Sequence, residues 1–188
     1  MAKGNAALSR WVVDQVVAHQ GTAAERIAEL GPGPGVGLEL LLERFPDAHV
    51  WGIDISTVML AQSRKRNRAA LDAGRLTLLE GGVASVSACA PADVVMANHV
   101  LYFWPDPVAE LTELRSSLRP GGLLALGYQL RQNMPAMAQK RFPAAGHRLY
   151  ETEADVTGVA VAAGFSAVAH KVKGPADAPE GRVLLATV

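Results

Sequence analysis

Short apolar runs alternate with longer amphipathic segments along the chain, a pattern typical of helices layered on a β-sheet. Several apolar runs, such as Val94–Ala97 and Leu123–Leu126, contain no polar residue. Strands that are covered on both faces have this character, which favours a central, mostly parallel sheet. We predict seven strands: Arg26–Leu30, His49–Ile55, Leu76–Glu80, Asp93–Asn98, Leu123–Leu130, Phe165–Lys173 and Arg182–Val188.

The amphipathic segments between these strands are predicted to be helices. Ser56 is a predicted N-cap, and Gly74 follows the end of that helix. Thr152 and Asp155 have the spacing of a capping box. The predicted helices are Ala6–His19, Val36–Phe45, one from the Ser56 cap to about Asp72, one from Asp106 to Leu118, and one from the Thr152 cap to Gly164.

The last two strands differ from the others because no helix separates them. Only the short turn Gly174–Gly181 joins them, so we predict an antiparallel pair. The prediction is a single α/β domain over residues 1–188. It has a Rossmann-like, doubly wound, seven-stranded sheet in an α/β/α sandwich, mostly parallel with a C-terminal antiparallel strand. Residues 1–24 form a short N-terminal helical cap, and residues 129–151 are a candidate lid insertion.

Composition narrows the functional classes. Eighteen basic and eighteen acidic residues give a formal net charge of zero, which argues against a nucleic-acid partner. The single cysteine, Cys89, excludes an intramolecular disulfide and a multi-cysteine metal site. No apolar run is long enough to span a bilayer, so we expect no membrane association and a cytoplasmic location.

A glycine-rich loop follows the first predicted strand, and an acid ends the second. The loop runs from Glu29 to Gly37 with glycine at every second position, and Asp54 is the acid. Such a loop lets the backbone approach a ligand, and a carboxylate at that position binds a ribose diol. The spacing does not fit G-x-G-x-x-G, which disfavours a nicotinamide-dependent oxidoreductase.

These motifs, with three others in the same order, resemble those of class I S-adenosylmethionine-dependent methyltransferases across nearly the whole chain. The resemblance rests on Glu29–Gly35, Asp54, Asp93–Tyr102 followed by Trp104-Pro105-Asp106, Leu118-Arg119-Pro120-Gly121-Gly122 and Ala163-Gly164-Phe165. It implies methyl transfer by in-line displacement, with S-adenosylmethionine as cofactor and S-adenosylhomocysteine as product.

The resemblance also implies which residues bind the cofactor. Glu29 would offset the ammonium charge, Asp54 would bind the ribose, and Ile55 and Met59 would cover the adenine. Gly82 stands where many members carry an acid that contacts the adenine amino group, so either Gly82 and Val83 serve the adenine through their backbone or the affinity is reduced. The full predicted set is Glu29, Leu30, Gly31, Pro32, Gly33, Gly35, Asp54, Ile55, Met59, Gly82, Val83, Asn98 and His99.

Catalysis of methyl transfer rests largely on alignment, and a base helps when the acceptor is a hydroxyl. The first candidates are His99 and Tyr102, which follow the fourth strand; Tyr128, His147 and Tyr150 are further candidates. The ends of the fourth and fifth strands offer Asn98, Tyr128 and Gln129 but no acidic pair, so no metal is expected.

The acceptor is expected to be a small molecule, held by the N-terminal cap and the insertion at 129–151. A homodimer, in which a second subunit completes the site, is an alternative to a lid. An alternative function is a non-catalytic S-adenosylmethionine-binding sensor or partner subunit. An RNA or protein acceptor also stays open, although the neutral charge weighs against RNA.

Overall fold

A computed structural model describes residues 2–175 and 177–188. Its sheet contains seven strands in the order β3-β2-β1-β4-β5-β7-β6. The first five strands run parallel, and β7 pairs antiparallel with both β5 and β6. The strands are β1 Arg26–Leu30, β2 His49–Asp54, β3 Leu76–Glu80, β4 Ala92–Asn98, β5 Leu118–Tyr128, β6 Ser166–Lys173 and β7 Gly181–Thr187. The predicted fold class is confirmed.

Helices cover both faces of this sheet. They are α1 Ala2–Gln20, α2 Val36–Arg44, α3 Thr57–Arg66, α4 Arg68–Asp72, α5 Pro107–Ser117, α6 Ala136–Ala144 and α7 Glu153–Ala162. One core joins α1 and α2 to one face, around Val12, Leu41 and Met96. The other core joins α5 and α7 to the opposite face, around Leu114 and Val156. The sheet is therefore apolar on both faces, as its uninterrupted apolar strands require.

The predicted long helix after β2 is wrong, because Asn67 divides it into α3 and α4. The buried Asn67 amide donates hydrogen bonds to Gly35 O (3.0 Å) and Ser63 O (3.2 Å). The side chain thus ties the end of α3 to the glycine loop. A helical period in the sequence does not reveal such a bond to a distant segment.

The start of β5 also differs from the prediction, which placed it at Leu123. The strand begins at Leu118, directly after α5. Its register with β4 shifts between the pairs Ala92–Leu118 and Val94–Leu123, and Gly121 adopts a φ of +72°. The glycines therefore form an irregularity within the strand.

Residues 129–151 contain a 3-10 turn, Arg131–Asn133, followed by α6. Backbone hydrogen bonds fix the two ends of this segment: Arg131 N–H donates to Tyr150 O (2.9 Å), and Arg148 N–H donates to Tyr102 O (3.1 Å). Residues of α6 itself are half-buried or exposed. The segment lies beside the carboxyl end of β4, where its role as a lid stays a prediction.

Candidate active site

The strand order reverses between β1 and β4, and open α/β sheets bind ligands at the carboxyl ends of the strands at such a point. The glycine loop lies there. Gly31, Gly33 and Gly35 have φ values of +69°, +53° and +84°. A Cβ on Gly31 would lie 2.4 Å from Val100 Cγ1, and one on Gly35 would lie 2.5 Å from the Asn67 amide. Glycine is thus required for conformation and, at Gly31 and Gly35, for packing.

Asp54 at the end of β2 is nearly buried, and two backbone N–H groups fix its carboxylate. Gly33 N–H donates to Oδ2 (3.1 Å), and Ser56 N–H donates to Oδ1 (2.9 Å). Each oxygen retains a lone pair for a ligand hydroxyl. The neighbouring Ile55 side chain is 79% exposed and provides an apolar surface beside the acid.

A cavity of about 520 Å³ lies between the glycine loop and the segment after β4. Among the predicted cofactor residues, its walls include Leu30, Gly31, Asp54, Ile55, Gly82, Val83, Asn98 and His99. The structure therefore brings together predicted residues from four separate segments of the chain, as the resemblance implied. Sequence reasoning missed several other wall residues: Ile53, Gly81, Val100, Phe103, Trp104, Pro105 and Glu110.

Other predicted cofactor residues do not form this wall. Pro32, Gly33 and Gly35 shape the loop behind it. Met59 lies within the first turn of α3, where its N–H donates to the Ser56 hydroxyl (3.3 Å). Their direct contact with a cofactor stays a prediction.

Glu29 lies behind the loop, against the first turn of α2, and is 2% exposed. A Cβ on Gly37 would lie 2.0 Å from Glu29 Oε1, so the carboxyl occupies the space that glycine leaves at this helix. Burial, with a smaller contribution from the Asp54 charge, raises the pKa of Glu29 to about 8. We expected this carboxylate to offset a ligand ammonium charge, whereas the structure directs it towards α2; its contact with a ligand stays a prediction.

Asn98 ends β4 and His99 follows it, and both residues line the cavity. Among the described residues, neither Nδ2 nor Oδ1 of Asn98 has a hydrogen-bond partner, although both atoms are buried. Buried amides without partners are costly, so a ligand with complementary polar groups fits this position. His99 has a φ of +58°, and its N–H donates to Gly127 O (2.8 Å). Burial lowers the pKa of its ring, which favours the neutral imidazole.

Gly82 lies at the far end of the same cavity. A Cβ built there meets no atom within 4 Å, and its backbone is extended, with a φ of −104°. The missing acid therefore leaves open space rather than a space filled by another side chain.

A second cavity, of about 960 Å³, adjoins the first and shares His99 and Phe103 with it. Its walls come from α1, the segment after β4, the residues of 129–151 and the turn between β6 and β7. His99 is thus the titratable side chain that both cavities have in common.

The remaining catalytic candidates differ in how they are held. The Tyr102 hydroxyl donates to Gln129 O (3.1 Å) and accepts from Gln129 N–H, and burial raises its pKa. The Tyr128 hydroxyl forms a hydrogen bond with His170 (2.7 Å) in the core that also contains Tyr102. Tyr150 is buried and lines neither cavity. His147 packs against Phe103 with ring centroids 4.8 Å apart. The geometry favours His99 over these residues, while the role of Tyr102 as a catalytic group stays a prediction.

Within residues 2–175 and 177–188, no group of three or more His, Cys, Asp or Glu side chains is arranged to hold a metal ion. Over the same residues, no helix has the length and hydropathy of a membrane span.

The loop, the acid at the end of β2 and the cavity between them define an α/β protein that binds a nucleoside-containing ligand. A family model described as a methyltransferase domain matches residues 27–122. The chain belongs to this methyltransferase family. This confirms its resemblance to class I S-adenosylmethionine-dependent methyltransferases, and with it S-adenosylmethionine as the cofactor that the family uses.

Individual relatives agree with this assignment. A trans-aconitate 2-methyltransferase from Methylobacterium nodulans is 38% identical over 104 residues, or 55% of this chain and 38% of that protein. One from Variovorax paradoxus is 40% identical over 103 residues, with the same coverage of 55% and 38%. The chain thus spans under two-fifths of the length of these curated relatives.

Among solved structures, the magnesium protoporphyrin IX methyltransferase from Synechocystis with bound S-adenosylhomocysteine has a similar fold. The TM-score is 0.74 at 23% identity, over 98% of this chain and 83% of that one. This likeness supports the fold and leaves the acceptor undetermined.

Proposed function

We propose that this protein transfers a methyl group from S-adenosylmethionine to a small-molecule acceptor. The observation that carries the proposal is the meeting of two cavities at His99. The first has the glycine loop and Asp54 on its walls, and the second has room for an acceptor. Two adjoining sites are what a direct transfer between two bound molecules requires.

The residues of the first cavity fit the cofactor in three respects. Asp54 has free lone pairs for the ribose hydroxyls, and Ile55 offers an apolar surface for the adenine. Asn98 has a buried amide that lacks a partner among the described residues, beside the position expected for the methionine part. When bound, the cofactor supplies a methyl group on a positively charged sulfur, which an acceptor atom takes by in-line displacement.

His99 is proposed to accept a proton from a hydroxyl acceptor. His99 lines both cavities, and burial lowers its pKa so that the neutral, proton-accepting form predominates at neutral pH. Exclusion of water by Phe103 and Trp104 on the wall would support the alignment of the two reactants.

The names of the curated relatives make trans-aconitate one candidate acceptor. The match covers only 38% of such a relative. The family model ends at residue 122, near the start of β5, and does not include the residues that follow. The acceptor therefore has to be identified by experiment.

A non-catalytic S-adenosylmethionine-binding protein is the second candidate function. It is favoured by Gly82, where the open space of the cavity replaces an adenine-binding acid. Formation of any methylated product separates this candidate from the first.

The test is to incubate the purified protein with S-adenosylmethionine and a panel of small hydroxyl-, amine- and carboxylate-bearing acceptors. Mass spectrometry would detect S-adenosylhomocysteine together with a product heavier by one methylene. Asp54→Ala should abolish turnover, whereas Asp47→Ala, an exposed acid before the opposite end of β2, should preserve it. Binding of the cofactor without any product would favour the sensor, and equal turnover by both variants would contradict the proposed site.

A further inference from the structure

The second cavity is built largely from aromatic and aliphatic side chains. Tyr102, Phe103 and Phe142 contact one another, with ring centroids 5.4 to 6.2 Å apart. The His99 ring is stacked at 26° to that of Tyr102, 6.3 Å away. Phe103 is 47% exposed, although a large aromatic side chain gains by burial. Such a cluster offers ring faces and edges to a flat apolar molecule.

The charged groups on this wall neutralise each other. Lys173 and Glu180 form an ion pair. Among the described residues, these two are the charged side chains that line the cavity. The nearby Arg182 is also paired, since its guanidinium donates hydrogen bonds to Asn133 Oδ1 (2.8 Å) and to the Glu153 carboxylate (2.9 Å). A carboxylate that enters the cavity therefore meets no unpaired cation on the described lining.

Polar groups on the same wall are largely used within the protein as well. The Gln129 amide donates to Glu180 O (2.9 Å), and the Tyr102 hydroxyl bonds to the Gln129 backbone. The His99 ring is different, because it forms no hydrogen bond with the described residues, and burial lowers its pKa. A single polar group of an acceptor, directed at His99, would supply the hydrogen bond that this ring lacks.

From these features we infer that the second cavity selects an uncharged aromatic acceptor with one hydroxyl and rejects polycarboxylates such as trans-aconitate. The inference rests on the proposed function and specifies its acceptor class. Each carboxylate that moves from water to this wall would lose its hydration without gaining a cation as partner, which costs free energy. For an aromatic ring, the free energy of the same transfer is favourable. Many wall residues, Met134 and Phe142 among them, lie outside the family match at 27–122, so the acceptor of a relative does not carry over through that match.

The test is calorimetric titration of the full chain with 2-naphthol, 2-naphthoate and trans-aconitate, each with and without saturating S-adenosylhomocysteine. We expect 2-naphthol to bind at least tenfold more tightly than either carboxylate. Phe142→Ala should weaken 2-naphthol about tenfold, because it removes one ring of the cluster. The matched control is Met137→Ala, on the exposed side of the same helix, which should change nothing.

A second variant tests the charge argument without removing an apolar contact. Glu180→Gln frees the Lys173 ammonium, and the affinity for 2-naphthoate should then rise at least threefold relative to the affinity for 2-naphthol. Tighter binding of trans-aconitate than of 2-naphthol, no binding of 2-naphthol, or equal affinity in Phe142→Ala would overturn the inference. Failure of S-adenosylhomocysteine to bind, with 2-naphthol still bound, would instead contradict the proposed function alone.

Discussion

The backbone N–H of Gly33 donates a hydrogen bond of 3.1 Å to Oδ2 of Asp54. This bond joins the glycine loop after β1 to the end of β2, and Ser56 N–H holds the other oxygen of the same carboxylate. The acid is therefore oriented before a ligand enters, and no rotamer has to be ordered on binding. The loop and the acid act as one unit, although the sequence presents them as two motifs.

The packing of this loop predicts different costs at two of its glycines. In Gly33→Ala the added Cβ contacts no neighbouring atom, so the free energy of unfolding should fall by about 1 kcal/mol, the cost of a left-handed conformation for alanine. Gly31→Ala should lower it by about 2–4 kcal/mol, because its Cβ also collides with Val100. Denaturant unfolding at one pH measures both. Equal destabilisation by the two variants would show that Val100 moves aside without cost.

The buried Glu29 predicts a pH dependence of stability. Its pKa is about 8 in the folded protein against an ordinary value of 4.5, so the unfolded chain loses this proton at lower pH than the folded protein does. Between those values the free energy of unfolding contributed by Glu29 falls as pH rises, and above about pH 8 it is constant. Glu29→Gln should remove this dependence, so that the variant gains on the order of 3 kcal/mol relative to the wild type between pH 5 and pH 8.

Chemical denaturation at several pH values tests this, with Glu43→Gln as the control because Glu43 is an exposed acid on α2, the helix against which Glu29 lies. The control should follow the wild type at every pH. Parallel curves for Glu29→Gln and the wild type would mean that Glu29 ionises normally in the fold.

The open space at Gly82 predicts a gain of function. Gly82→Asp places a carboxylate on the cavity wall, where the adenine is proposed to lie, without steric conflict and without an unfavourable φ. S-adenosylhomocysteine should then bind about three- to tenfold more tightly, through a hydrogen bond from the adenine amino group. Gly82→Ala is the control for a side chain that cannot accept such a bond. If the aspartate variant bound no better than the alanine variant, the adenine would have to lie elsewhere.

His99 predicts a separation between binding and turnover. Asparagine tolerates the left-handed backbone at this position, so His99→Asn should fold and bind S-adenosylmethionine within about threefold of the wild type. With a hydroxyl acceptor, kcat should fall by about 10² or more, because the proton acceptor is lost. In the wild type the rate should decrease as pH falls through the lowered pKa of His99, and the variant should lack this acidic limb.

Much of this fold could be predicted because its signals are local. The bounds of β1 and β3 follow from apolar runs between turn residues, and the N-caps of α3 and α7 are formed by Ser56 and Thr152 as expected. The break at Asn67 could not be predicted, because it depends on a bond to Gly35 across the sequence. The irregular start of β5 likewise depends on pairing with β4.

The glycine loop and Asp54 could be predicted from the sequence, whereas the direction of one side chain and part of the cavity wall could not. Glycines and an acid at strand ends identify the loop and Asp54, since the topology brings those ends together. The direction of the Glu29 side chain was not predictable, because it depends on the space above Gly37. Phe103 and Trp104 were not predicted as site residues, because their position on the cavity wall depends on the turn after β4.

The central claim is that the first cavity binds S-adenosylmethionine through Asp54. Its most direct test is calorimetric titration of the wild type and of Asp54→Asn with S-adenosylhomocysteine, and of the wild type with NADH. We expect one site in the micromolar range for the wild type, at least tenfold weaker binding for Asp54→Asn, and no binding of NADH. Equal affinity in the two proteins, or a preference for NADH, would contradict it.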